Sequence, residues 1–109
     1  MAALPVHVTA TVLAGIDVAN KKVNPTTINI TKGQQVEWHC TDIKQTATVR
    51  FPTTQNPFYD NNLVVPVGGA VLSGPVKDSA PINVEIPYEI LVNGVPLSLA
   101  PRVIIIIRP

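Results

Sequence analysis

Few side chains in this sequence could do chemistry, and their spacing narrows what that chemistry could be. His39 and Cys40 are adjacent soft ligands, His7 is the other imidazole, and Cys40 is the single thiol. Neighbouring residues of a strand point to opposite faces, so in an extended segment His39 and Cys40 do not close on one ion. Cys40 then shares a face with Val36 and Trp38, where a free thiol behaves as a small buried hydrophobe. A site built on His7 and His39 would need paired strands in register and a third ligand. One cysteine also excludes an internal disulfide and any cysteine-rich zinc or iron–sulfur centre. Ser73 and Ser98 lack a Gly-x-Ser-x-Gly frame, and neither histidine has an acid spaced to orient it. Val67-Gly68-Gly69-Ala70 follows no strand-to-helix pattern, so it does not read as a phosphate cradle. Glu85 and Glu89 read as an outward face rather than a catalytic pair. These residues predict neither an enzyme nor a bound cofactor.

Phe58 and Tyr59 stand out for another reason. Aromatic residues are 5% of the chain, yet these two are adjacent within a polar stretch, residues 53–62. Either one of them closes an end of the core, or they anchor a partner in the way aromatic residues do at interface hot spots.

The elements that must position these groups are strands. Apolar residues recur mostly with a period of two, and 11 prolines and 6 glycines cut the chain into pieces too short for long helices. Val6, Val8, Ala10 and Val12 alternate with His7, Thr9, Thr11 and Leu13; Ile28 and Ile30 alternate with polar neighbours up to the Lys32-Gly33 turn. Val36, Trp38 and Cys40 form a third alternating set, and Ala47, Val49 and Phe51 a fourth. Val84, Ile86, Tyr88, Ile90 and Val92 form a fifth, with Pro87 demanding a bulge or an outward-facing backbone because it cannot donate to a ladder. Two shorter extended pieces lie around Val65-Pro66-Val67-Gly68-Gly69 and Ser73-Gly74-Pro75. Short strands separated by turn signals predict an all-β, Greek-key antiparallel β-sandwich.

The last strand, around Val103-Ile104-Ile105-Ile106-Ile107, is β-branched on both faces, which predicts cover on both. Ile104 and Ile106 then become candidate partner contacts beside Phe58 and Tyr59. Arg102 and Arg108 flank the run as gatekeepers against edge aggregation.

Composition bounds the rest. With 109 residues, the chain is one domain, 1–109, with a single core. Hydrophobic residues are 46% and charged residues 14%, a balance opposite to that of a disordered chain. Eight Lys and Arg against seven Asp and Glu leave a formal charge of +1, which predicts no nucleic-acid partner. The longest apolar run is far below the roughly 20 residues a membrane-spanning helix needs, so no membrane role is predicted. The first residues carry no basic region followed by an apolar run, and with Met1 as the native start a cytoplasmic protein is expected.

Taken together, residues 24–108 resemble the cupredoxins, the β-sandwiches best known for blue copper. The pieces that carry the resemblance are Ile28-Asn29-Ile30-Thr31-Lys32-Gly33-Gln34-Gln35-Val36-Glu37-Trp38, then Ala47-Thr48-Val49-Arg50-Phe51. Tyr88-Glu89-Ile90-Leu91-Val92 follows later, before the isoleucine-rich strand. Val65-Pro66-Val67-Gly68-Gly69 and Ser73-Gly74 look like a copper-free bacterial branch. The resemblance implies a first histidine ligand at Thr46 or Ala47, a cysteine at Val92, a second histidine near Val95, and usually a methionine beyond. None of these positions carries such a residue, and Met1 is the one methionine. Blue copper needs a thiolate and two imidazoles. The expectation is therefore a copper-free, non-enzymatic binding or assembly module, whose partner is an unknown protein or a second copy of itself. The alternative is a metal-binding or electron-transfer domain with non-standard ligands from His7, His39 and Cys40.

Overall fold

A computed structural model describes residues 10–40, 45–99 and 102–109. Eleven strands and no helix occur among them: β1 (Thr11–Asp17), β2 (Lys22–Asn24), β3 (Thr27–Thr31), β4 (Gln35–Cys40), β5 (Ala47–Arg50) and β6 (Asn62–Val65), then β7 (Ala70–Leu72), β8 (Glu85–Pro87), β9 (Glu89–Val92), β10 (Val95–Pro96) and β11 (Ile104–Arg108). Val6, His7 and Val8 lie outside the described residues.

Three sheets are assembled from these strands, in the orders β2-β1-β4-β7, β10-β9-β5-β6 and β3-β11-β8. Strands β8 and β9 are separated by Tyr88 alone, and the inward set Ile86, Tyr88, Ile90 and Val92 keeps its alternation across the break. The second and third sheets are therefore successive stretches of one layer, joined through a single extended run. The first sheet faces that layer, and the two enclose one hydrophobic core, giving a β-sandwich.

Pairing is mixed rather than antiparallel throughout. β1 runs parallel to β4, with Val12 opposite Val36 and Ala14 opposite Trp38, and β11 runs parallel to β3. The reason lies in the path of the chain: after β1 and its hairpin partner β2, it crosses to the other layer as β3 and returns as β4 beside β1. Alternation along single strands says which face is buried, and it is silent about the direction of a neighbour.

The alternating sets predict the core well. Ile16, Ile28, Ile30, Val36, Trp38, Val49, Ile86, Ile90, Ile105 and Ile107 are buried, each worth about 1.5–3 kcal/mol relative to exposure. At its centre Trp38, Phe51, Phe58 and Tyr88 interlock with ring centroids 5.3 to 6.2 Å apart, in the tilted and edge-on geometries that aromatic rings favour. Turn chemistry supports this frame at Gly33, whose φ of 88° suits the reversal between β3 and β4. There Thr31 N–H donates to Gln34 Oε1 at 2.8 Å and Gln34 N–H to the Thr31 carbonyl at 3.1 Å. Asn20 closes the β1–β2 turn by donating through its backbone and its side-chain amide to Asp17, which holds that carboxyl below its ordinary value.

The cover expected on both faces of the last strand comes largely from this chain itself. β11 lies between β3 and β8, so it is an interior strand and offers no free edge. Ile106 is buried and Ile104 half-buried within this one chain. Arg108 reaches across the layer, donating to Asn29 Oδ1 at 3.0 Å and to Asn83 Oδ1 at 3.1 Å.

Candidate functional site

Both ends of the β5–β9 pair could carry function, and they differ in chemistry. At one end Ala47 stands opposite Val92, Val65 pairs with Ala47 from the other side, and Val95 pairs with Val92. These include the positions at which the resemblance to cupredoxins puts the cysteine and one histidine, with the other histidine at Ala47 or its neighbour Thr46. The fold brings Ala47 into one cross-strand row with Val92 and Val95, from which it is far apart in sequence. Ala47 and Val65 are fully buried, whereas Val95 and, in the turn beyond Val65, Val67 are exposed. That turn closes by Gly69 N–H donating to the Pro66 carbonyl at 3.0 Å, with Gly68 at a φ of 63°. Cys40 N–H donates to the Gly69 carbonyl at 3.1 Å, which ties the turn to the end of β4. Side chains on this row carry only methyl groups, with Val95 alone exposed to a partner, and offer no donor to a metal.

His39 and Cys40 do point to opposite faces. Cys40 is buried with its Sγ 3.9 Å from the Gln45 carbonyl oxygen, while His39 is half-buried on the outer face between Gly15 and Ala70. Among the described residues no group of three or more His, Cys, Asp and Glu side chains could hold a metal ion. His7 lies outside those residues.

The opposite end contains a split in the layer that sequence reasoning missed. Along one side of the β8–β9 run the neighbour changes: Ile90 accepts from Leu97 N–H at 2.8 Å, and two residues earlier Tyr88 N–H donates to Val103 at 3.4 Å. The gap between these neighbours is an open hollow of ≈ 310 Å³. On the other side β5 stops at Arg50, opposite Glu89, and the chain departs through Pro52, leaving a second hollow of ≈ 370 Å³. Successive backbone amides of a strand point to alternate sides. With Tyr88 N–H turned toward Val103, the nitrogen of Pro87 faces the side that β5 has vacated. The missing donor thus falls where no acceptor waits, and Pro87 needs no bulge.

Tyr88 lines both hollows from beneath, and Glu89 stands on their rims, held by Arg50 through an ion pair of 2.8 Å. The Tyr88 hydroxyl is buried without a hydrogen-bond partner, as is the Trp38 indole nitrogen. Burial pushes the Tyr88 phenol up to about 12, and the nearby Trp38 N–H offsets a smaller part of that rise without forming a full hydrogen bond. The signal that could have pointed here was the proline inside an otherwise regular apolar alternation, followed at once by the tyrosine.

Of the four candidate contact residues, Tyr59 alone is widely exposed, at 67% of its surface. Phe58 is fully buried in the aromatic cluster and closes the end of the core instead of meeting a partner. The loop separates the two because Asn56 organises it: its side-chain amide donates to the Asp60 carbonyl and to Asn61 Oδ1, and its Oδ1 accepts from Phe58 N–H. In comparisons with known proteins, the chain matches no family, and no curated protein is similar to it in sequence.

Proposed function

We propose that this chain is a non-enzymatic, copper-free cupredoxin-like module that works by binding or assembly. The observation that carries the reading is the row Ala47, Val92 and Val95: positions where the resemblance expects ligands are spatial neighbours, and they bear only methyl-ended side chains. The β-sandwich architecture is compatible with this reading. Exposed Val67 and Val95 at that end, with Val64 on the outer face of β6, give a surface suited to a protein partner or a second copy.

The test is a copper titration of the reduced, purified protein, following the visible spectrum and bound metal together. The expected outcome is no intense thiolate band and no stoichiometric tight copper. A blue band lost in Cys40→Ala would overturn the reading. Light scattering on the same sample separates self-assembly from a foreign partner.

A further inference from the structure

We propose that the hollow between the β10 limb and β11 binds a small amphipathic monocarboxylate. This deepens the reading of the chain as a binding module by naming a site and a ligand class. The walls are apolar: Pro87, Leu97, Leu99 and Val103, above the ring of Tyr88. Two charged side chains also line it. Glu89 is paired with Arg50 at 2.8 Å, which partly offsets its repulsion of an incoming anion. Arg102 is exposed and, among the described residues, makes no hydrogen bond or ion pair, leaving a free guanidinium beside the apolar walls. A planar fork of donors of this kind suits a carboxylate. An apolar cavity of roughly 150 Å³ accommodates benzene, so ≈ 310 Å³ suits a ligand of about a dozen heavy atoms. One apolar tail with one acidic head fills that description, as small-molecule pockets combine apolar walls with a few placed polar groups. The hollow also has a structural cause independent of any ligand, because the β8–β9 run exchanges Val103 for Leu97 as its neighbour between Tyr88 and Ile90. Its place is at the far end of β9 from the Ala47–Val92 row.

The experiment is a two-dimensional amide NMR titration of the full chain with sodium octanoate and, separately, with octan-1-ol, at fixed ionic strength and below aggregation of either. Octanoate is expected to give saturable shifts at the amides of Glu89, Leu97, Leu99 and Val103. Octan-1-ol should shift the same amides about tenfold more weakly, and Arg102→Gln should reduce octanoate to the affinity of the alcohol. Arg102 is exposed, so this variant keeps the fold, which the unshifted remainder of the spectrum verifies. Equal affinity for acid and alcohol, wild-type affinity in R102Q, or shifts away from these four amides would each overturn the proposal. Copper binding reads the other end of β9, so tight copper with octanoate binding intact sinks the copper-free reading alone. Absent octanoate shifts in a copper-free protein sink this inference alone.

Discussion

Ser73 and Val36 exchange two hydrogen bonds. Ser73 N–H donates to the Val36 carbonyl at 2.9 Å, and Val36 N–H donates back to Ser73 Oγ, also at 2.9 Å. The hydroxyl proton then goes to the Gly74 carbonyl at 2.7 Å. A side-chain oxygen thus replaces the backbone acceptor just past the end of β7, letting the chain turn away at Gly74 without orphaning a buried amide.

Ser73→Ala removes that acceptor while leaving the site buried. A buried donor without a partner costs about 1–3 kcal/mol. Denaturant unfolding is expected to show a loss of that size, with the Val36 amide losing hydrogen-exchange protection more than its strand neighbours. Unchanged stability would mean that water replaces the hydroxyl.

Asn56→Ala should strip the loop of its organiser. Two donated bonds and the acceptor for Phe58 N–H disappear together, and the expected loss is about 2–3 kcal/mol. Because Phe58 packs edge-on to Trp38 at 6.2 Å, tryptophan fluorescence should change with it. A variant that loses stability without altering that fluorescence would separate the loop from the aromatic cluster.

Tyr88 makes stability depend on alkaline pH. Its phenol ionises near 10 when unfolded and near 12 when folded, so between those values the native state holds the extra proton and stability falls as pH rises. The contribution is intact below pH 10 and is lost as pH passes through the folded value, a change of about 2–3 kcal/mol. Tyr88→Phe should flatten this decline. At neutral pH the variant is expected to match or exceed the parent by up to about 1 kcal/mol, since the hydroxyl it removes is buried and unpartnered. A loss greater than that at pH 7 would reveal a hydrogen bond of real strength to the Trp38 N–H.

Much of the fold was legible residue by residue. The pattern of Val36, Trp38 and Cys40 names the buried face of β4, and Ile28 and Ile30 that of β3, because a pleated strand has a side-chain period of two whatever surrounds it. The adjacency of His39 and Cys40 likewise argues against a shared ion from strand geometry alone. Phe58 and Tyr59 were harder: adjacency in a polar loop says that one is special, and the Asn56 hydrogen bonds decide which one turns inward. For Ile104 and Ile106, β-branching on both faces predicts cover on both, and it cannot say whether the same chain or a partner supplies it, because an edge strand and an interior strand look alike in sequence.

The amino-acid sequence by itself determined the all-β class, the inward faces of β3, β4, β5 and the β8–β9 run, and the absence of copper-ligand side chains at the positions the resemblance specifies. These follow from local alternation and residue chemistry, which need no knowledge of neighbours. Only the tertiary structure decided that β1 and β4 run parallel, that β11 is interior, and that Ala47, Val92 and Val95 form one row. It alone revealed the hollow beside Arg102. Each of these depends on which strands lie side by side, a long-range choice made by how whole layers pack, and no short window of sequence contains it.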